Sequence, residues 1–141
     1  MNTFQTSRYV ASTPRALFAA IRDPERLARW WGPEGFSNQF EVFEFRSGGR
    51  WVFDMIGPDG TRYANESVFF NIEENRQVVI DHTCAPLFRL TITLAPEGDG
   101  TRVHWLQVFE DAAFAQAMKH VVEPANEQNL DRLGRELGCP A

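Results

Sequence analysis

Glu66 and His82 are the two side chains of this chain whose types and spacing could move protons between them. Each sits in a segment where apolar and polar residues alternate, the period of a β-strand. In residues 62–72 the apolar set Ala64, Val68, Phe70 and Ile72 carries Glu66 on its side, and in residues 77–83 Val78 and Ile80 carry His82. A hairpin turned at Glu74-Asn75 sets Ile72 against about Gln77, which brings Glu66 opposite about Thr83 and close to His82. A carboxylate and an imidazole facing one partly dry space perturb each other's proton affinity and can serve as a general acid/base pair. The alternative is a hydrogen-bonded polar pair that satisfies itself inside a core. No nucleophile accompanies the pair, so it is a catalytic signal of low specificity.

Two amides join this set. Residues 101–109 place Gln107 on the side of Val103, Trp105 and Phe109, although Leu106 and Val108 make the other side apolar too. Asn126 precedes Leu130, Leu133 and Leu137 at helical spacing, so its amide lies in an apolar stripe. The remaining candidates read as surface. His104 and Asp54 alternate away from the apolar sets of their strands, and His120 projects opposite the stripe of Phe114, Met118, Val121 and Ala125. No His-x-His, paired Cys or acidic loop offers a metal site, and no cofactor is implied. Gly48-Gly49 reads as a hairpin turn rather than a phosphate loop, and Ser37, Ser47 and Ser67 lack a strand–elbow–helix setting.

The elements that must position these groups follow from punctuation and period. Residues 3–10 read as a strand. Ser12-Thr13-Pro14 and Asp23-Pro24 each pair a capping side chain with proline at the first helical position, giving two short helices. From residue 40 the period drops to two, with strands over 40–46, 50–56, 62–72, 77–83, 87–95 and 101–109. Their short turns imply an antiparallel meander. Residues 111–137 are helical, but the stripe through Phe114 and Ala125 is displaced from that of Leu130 to Leu137, which predicts a kink or break at Pro124. The fold class is therefore α+β: one domain over 1–141, its curved antiparallel sheet wrapped around a long C-terminal helix.

Such a sheet leaves a hollow wherever the helix does not fill it, and the aromatic load suits its walls: 12 Phe and 4 Trp in 141 residues. Trp51, Phe53, Phe88 and Trp105 fall on inward sets and Met118 on the helix stripe. Trp30, Trp31 and Phe36 stand at the helix–loop junction, as an entrance or as a plug closing one end. A net charge of −5 with interspersed signs argues against nucleic acid. No segment is long and apolar enough for a membrane span or leader, and Cys84 and Cys139 read as free thiols, so a cytoplasmic setting is expected.

Six segments, in order, resemble the helix-grip superfamily of START-like and birch-pollen-allergen-like domains (SRPBCC). They are Ala11-Ser12-Thr13-Pro14, Asp23-Pro24-Glu25-Arg26-Leu27, Arg29-Trp30-Trp31-Gly32-Pro33, Gly48-Gly49-Arg50-Trp51, Gly57-Pro58-Asp59-Gly60 and Gly100-Thr101-Arg102-Val103. Within it the chain is similar to proteins like the C-terminal domain of the activator of the heat-shock protein 90 ATPase. Its tail from Pro124 to Leu133 resembles a polyketide-cyclase-like bacterial subgroup. The resemblance implies a cavity for a small apolar or aromatic molecule, and the inward sets and the helix–loop junction offer as its lining Trp30, Trp31, Phe36, Trp51, Phe53, Glu66, His82, Phe88, Trp105, Gln107, Met118 and Asn126. The expected function is binding of such a metabolite or lipid-like ligand. A cyclase or dehydratase using Glu66 and His82 is the second reading, and a chaperone-docking module at Trp30-Trp31 the third. A chaperone partner is not expected, because the second domain of true co-chaperones is not seen. A homodimer through the first strand or sheet edge is compatible with the pairing surfaces.

Overall fold

The computed structural model describes residues 2–138; the expectation for Cys139 lies outside them. The chain runs β1 (Thr3–Val10), α1 (Pro14–Arg22), α2 (Pro24–Trp30), β2 (Ser37–Phe43), β3 (Arg50–Ile56), β4 (Arg62–Glu73), β5 (Gln77–His82), β6 (Phe88–Glu97), β7 (Gly100–Phe109) and α3 (Ala112–Glu136). All strands form one antiparallel sheet in the order β1-β7-β6-β5-β4-β3-β2. The N-terminal strand closes onto the last one, and the two short helices bridge from β1 to the far edge at β2. The helix starts form as their residues dictate. Thr13 accepts from the Ala16 N–H at 3.1 Å, Asp23 from Glu25 at 3.0 Å, and Asp111 from Ala113 and Phe114 at 2.9 and 3.1 Å.

β4 departs from the simple alternation. Phe69 pairs with Ile80 and Asn71 with Val79, so β4 spends an extra residue, Phe70, where β5 advances by one. Backbone groups beside this bulge are met by the 46–49 turn. Gly48 N–H donates to Phe69 O at 2.6 Å, Phe69 N–H donates to Gly49 O at 2.9 Å, and Ile72 N–H donates to Ser47 Oγ at 2.9 Å. Glycine is required at position 49, where a Cβ would lie 1.9 Å from Glu44 O.

The bulge reverses which side of β4 faces inward. Ile72 is on the core side beyond it, but before it the inward residues are Asn65, Ser67 and Phe69, with Phe69 fully buried. Glu66 instead faces solvent, its side chain 59% exposed and 3.9 Å from Arg50. Phe70 is exposed too, beneath the Arg89 guanidinium at 4.0 Å. The expected inward Glu66 is thus corrected: alternation counted back from Ile72 crosses an inserted residue and inverts.

α3 is one continuous helix with Pro124 inside it, so of the expected kink or break there is no break. A single inward stripe, Ala115, Met118, Val122, Asn126, Leu130, Leu133 and Leu137, runs its whole length in steps of three and four. Pro124 and His120 are both exposed, so the carbonyl deprived of its donor faces water. Of the expected stripe, Phe114 packs against the smaller buried cluster and Met118 is half-buried, whereas Val121 is exposed.

The main core spans α1, α2, the inner faces of β3–β7 and the C-terminal half of α3, and its tryptophans gather where α2, β3 and α3 meet. Trp31 lies 5.6 Å from Trp30, 5.0 Å from Trp51 and 5.9 Å from Trp105, and Trp51 stacks on Phe53 at 4.2 Å. Asn129 and Arg132 on α3 fasten the 29–36 segment. Asn129 accepts from Gly32 N–H at 3.1 Å and donates to Trp30 O at 2.9 Å. The Arg132 fork donates to the carbonyls of Arg29, Trp31, Gly32, Pro33 and Phe36 at 2.6–3.0 Å. Asn129→Ala leaves a buried donor and a buried acceptor unpaired. It should lower unfolding free energy by about 3 kcal/mol in urea titrations, whereas a loss below about 0.5 kcal/mol would show the fastening to be incidental.

Candidate functional site

The sheet's other end, where β5, β6 and β7 finish against the start of α3, is built differently. On the inner face Phe109, Phe88, His82 and Ser67 stand in one lateral row, since Phe88 pairs with Phe109 and His82, and His82 with Ser67. Phe88 stacks on the His82 ring at 4.5 Å and meets Phe109 at 5.2 Å, and Phe109 meets Phe114 of α3 at 5.6 Å. This smaller cluster, completed by Phe4, Ala115 and Val122, is separate from the tryptophan core.

Two clefts open here. One, of about 670 Å³, is bounded by His82, Leu87, Phe88 and Phe109 and reaches around the sheet end to Asp81, Arg89 and Glu110. The second, of about 540 Å³, lies between the 85–87 turn, Phe109 to Asp111 and Phe114. Exposed Leu87 forms a wall of both. Both fall within the size range of small-molecule sites.

His82 is buried, and its ring is fixed on both nitrogens. Nδ1 lies 2.7 Å from the Pro86 carbonyl, which can only accept, so a proton on Nδ1 is held there. Nε2 lies 2.8 Å from Asn65 Oδ1 and 3.5 Å from Cys84 Sγ. The Asn65 amide is oriented by its own donation to Tyr63 O at 2.9 Å, which turns Oδ1 toward the imidazole. Burial pushes the His82 imidazole below its ordinary value of 6.5, while the Pro86 carbonyl and the backbone at Cys84 pull the other way. Deeper along the inner face Asn126 donates to Gln107 Oε1 at 3.0 Å, bridging α3 to β7.

Of the expected site residues, the structure brings His82 and Phe88 to this open end and links Gln107 to Asn126. It does not bring Glu66, which is on the outer face. Trp30, Trp31, Trp51, Phe53 and Trp105 are packed in the core, and Phe36 lies against Tyr63 at 6.1 Å. Met118 is half-buried on the α3 stripe. None of Trp30, Trp31, Phe36, Trp51, Phe53, Trp105 or Met118 lines either cleft at this end. Tryptophans were expected as ligand walls because they are large and inward-facing, but the α3 clamp draws them together until they fill that half of the concavity. Asn65, Ser67 and Cys84 were not singled out for the site. The first two were hidden by the inverted parity of β4, and Cys84 could be placed only once the β5–β6 turn was seen. Among the described residues no group of three His, Cys, Asp or Glu is placed to hold a metal ion, and no helix is long and apolar enough to cross a membrane.

A seven-stranded curved sheet gripping a long C-terminal helix defines a helix-grip, START-like α+β domain. The chain belongs to the family described as Activator of Hsp90 ATPase homolog 1-like protein, whose model matches residues 11–138. Solved structures repeat the fold. A protein of Arthrobacter aurescens superposes with a TM-score of 0.90 at 26% identity, over 99% of this chain and 87% of its own. A protein of Nitrosomonas europaea gives 0.88 at 18% identity, covering 97% and 94%. The AHSA1-like protein of Aeromonas hydrophila gives 0.79 at 18%, covering 96% and 92%. No curated protein matches the chain.

The lowered proton affinity of His82 predicts a stability slope. The unfolded chain takes up this proton near the ordinary histidine value and the folded ring only at lower pH, so acid favours the unfolded state. Unfolding free energy should fall as pH drops from about 7 to about 5, before carboxylates titrate. His82→Gln should flatten that slope in urea titrations across the window, and an unchanged slope would contradict the burial argument.

Proposed function

We propose that the protein binds a small, mainly apolar or aromatic molecule at the open end of the sheet. The observation that carries this reading is the aromatic-walled pair of clefts beside an inner polar row, at the end opposite the packed tryptophans. Phe88, Phe109, Phe114 and Leu87 offer apolar area that a ligand could remove from water, at roughly 25 cal/mol per Å². His82, which lines the first cleft, supplies direction. Free Cys84 accords with a cytoplasmic setting.

Two earlier expectations lose their support. A cyclase or dehydratase built on Glu66 and His82 lacks its carboxylate, which faces solvent. A chaperone-docking patch at Trp30-Trp31 lacks its surface, since both rings are buried.

Titration with the neutral fluorophore N-phenyl-1-naphthylamine should show saturable binding. Phe114→Ala and Leu87→Ser should each weaken it about tenfold, equivalent to about 1.4 kcal/mol. Absence of saturable binding, or binding indifferent to both changes, would refute the assignment.

A further inference from the structure

Cys84 sits within reach of two groups that an ordinary surface thiol does not have. His82 Nε2 is 3.5 Å from Sγ, and the backbone N–H of Glu66 donates to the same sulfur at 3.4 Å. With its proton on Nδ1, held by the Pro86 carbonyl, the imidazole presents Nε2 to both Asn65 Oδ1 and the sulfur, and that nitrogen can take the thiol proton. A neutral ring can donate to only one of the two oxygens that flank it, whereas a protonated ring donates to both, Pro86 O at 2.7 Å and Asn65 Oδ1 at 2.8 Å. The acceptors that stabilise the imidazolium are thus in place before the proton arrives, as in a nucleophile–base–orienter arrangement. Burial keeps the resting ring neutral and therefore competent to accept.

A second observation, on the opposite strand, concerns the molecule such a thiol would meet. Ser67 is directly across from His82 and only 5% exposed, yet its hydroxyl makes no hydrogen bond among the described residues. The Ser67 oxygen is not among the fully enclosed unpaired polar atoms, so water reaches it, and an acceptor oxygen on a ligand could take that water's place. The neighbouring wall, Phe88 stacked on His82, is aromatic. An apolar body carrying a conjugated carbonyl satisfies all of these groups together.

We propose that Cys84 is a nucleophilic thiol, with His82 as its proton acceptor, that captures α,β-unsaturated carbonyl compounds entering at the open end of the sheet. The Cys84 S–H proton passes to His82 Nε2 as sulfur forms a bond to the β-carbon. The carbon–carbon π pair moves toward the carbonyl oxygen, which accepts a hydrogen bond from Ser67. The His82 proton then returns to the α-carbon, leaving a saturated thioether with no leaving group and no change in net charge. This site goes beyond reversible binding in the clefts and does not require it.

The test is the rate at which N-ethylmaleimide, a conjugated carbonyl, modifies Cys84 at pH 7 in a Cys139→Ser background. A half-buried thiol without activation reacts more slowly folded than unfolded. Cys84 should instead react at least fivefold faster in the folded protein than in urea. His82→Gln should reduce the folded rate at least tenfold, with thermal unfolding confirming that the variant is folded. Ser67→Ala should slow N-ethylmaleimide about fivefold while leaving iodoacetamide, which develops no carbonyl anion by conjugate addition, unchanged. A folded rate equal to or below the unfolded one overturns the proposal even if no variant folds. Equal slowing of both reagents by Ser67→Ala removes the assigned substrate class. Loss of fluorophore binding alone, with the rate enhancement intact, would sink the cleft reading and spare this one.

Discussion

The grip of α3 on the 29–36 segment is the constraint on which the rest of the structure depends. One guanidinium and one carboxamide, Arg132 and Asn129, collect backbone groups from the last residues of α2 and from the irregular stretch 31–36 that follows it. Irregular backbone can be buried only if its carbonyls and amides find partners, and here a helix some hundred residues away in sequence provides them. Burial draws down the proton affinity of Arg132, though not enough to discharge it. Arg26 and Arg29 add a further tie to Glu136, whose carboxyl they hold below the ordinary range. With the segment secured, Trp30 and Trp31 are carried inward onto Trp51 and Trp105, and that half of the concavity becomes core.

The consequence for function is polarity along the helix. The C-terminal half of α3 buries Leu130 and Leu133 completely against the tryptophans. Its N-terminal half meets only the smaller phenylalanine cluster, and its middle is held to β7 by the Asn126–Gln107 bond. Two openings lie where packing is thin, around the 83–87 turn and the β7–α3 junction, and smaller ones follow β1 beside α3. The buried polar residues His82 and Ser67 lie on the lateral row at that end of the sheet.

Much of this was legible in the sequence. The two cap-plus-proline starts located α1 and α2, alternation located every strand from β3 onward to within a few residues, and His82 and Gln107 were correctly read as inward. What failed did so for local physical reasons. A single inserted residue in β4 inverted the faces before it, which sent Glu66 outward and concealed Asn65 and Ser67. The two-stripe reading of α3 chose Val121 where Val122 joins Phe114 and Ala115 in the contact, and so called for a kink or break where the helix runs on without interruption. Arg132 had no local signature at all, because its partners are main-chain carbonyls brought close only by the tertiary fold. Large aromatic rings announced a core or a cavity wall equally well, and only packing distances separate those cases.

Hydrogen–deuterium exchange with and without N-phenyl-1-naphthylamine tests this division of the molecule most directly. Amides of residues 29–36 and β3 should exchange slowest and stay indifferent to the fluorophore, while those of residues 83–88 and 109–114 exchange faster and become protected when it binds. Protection appearing at residues 29–36 instead, with the 83–88 turn unaffected, would mean that the tryptophan end opens to ligand and that the clamp does not govern the fold.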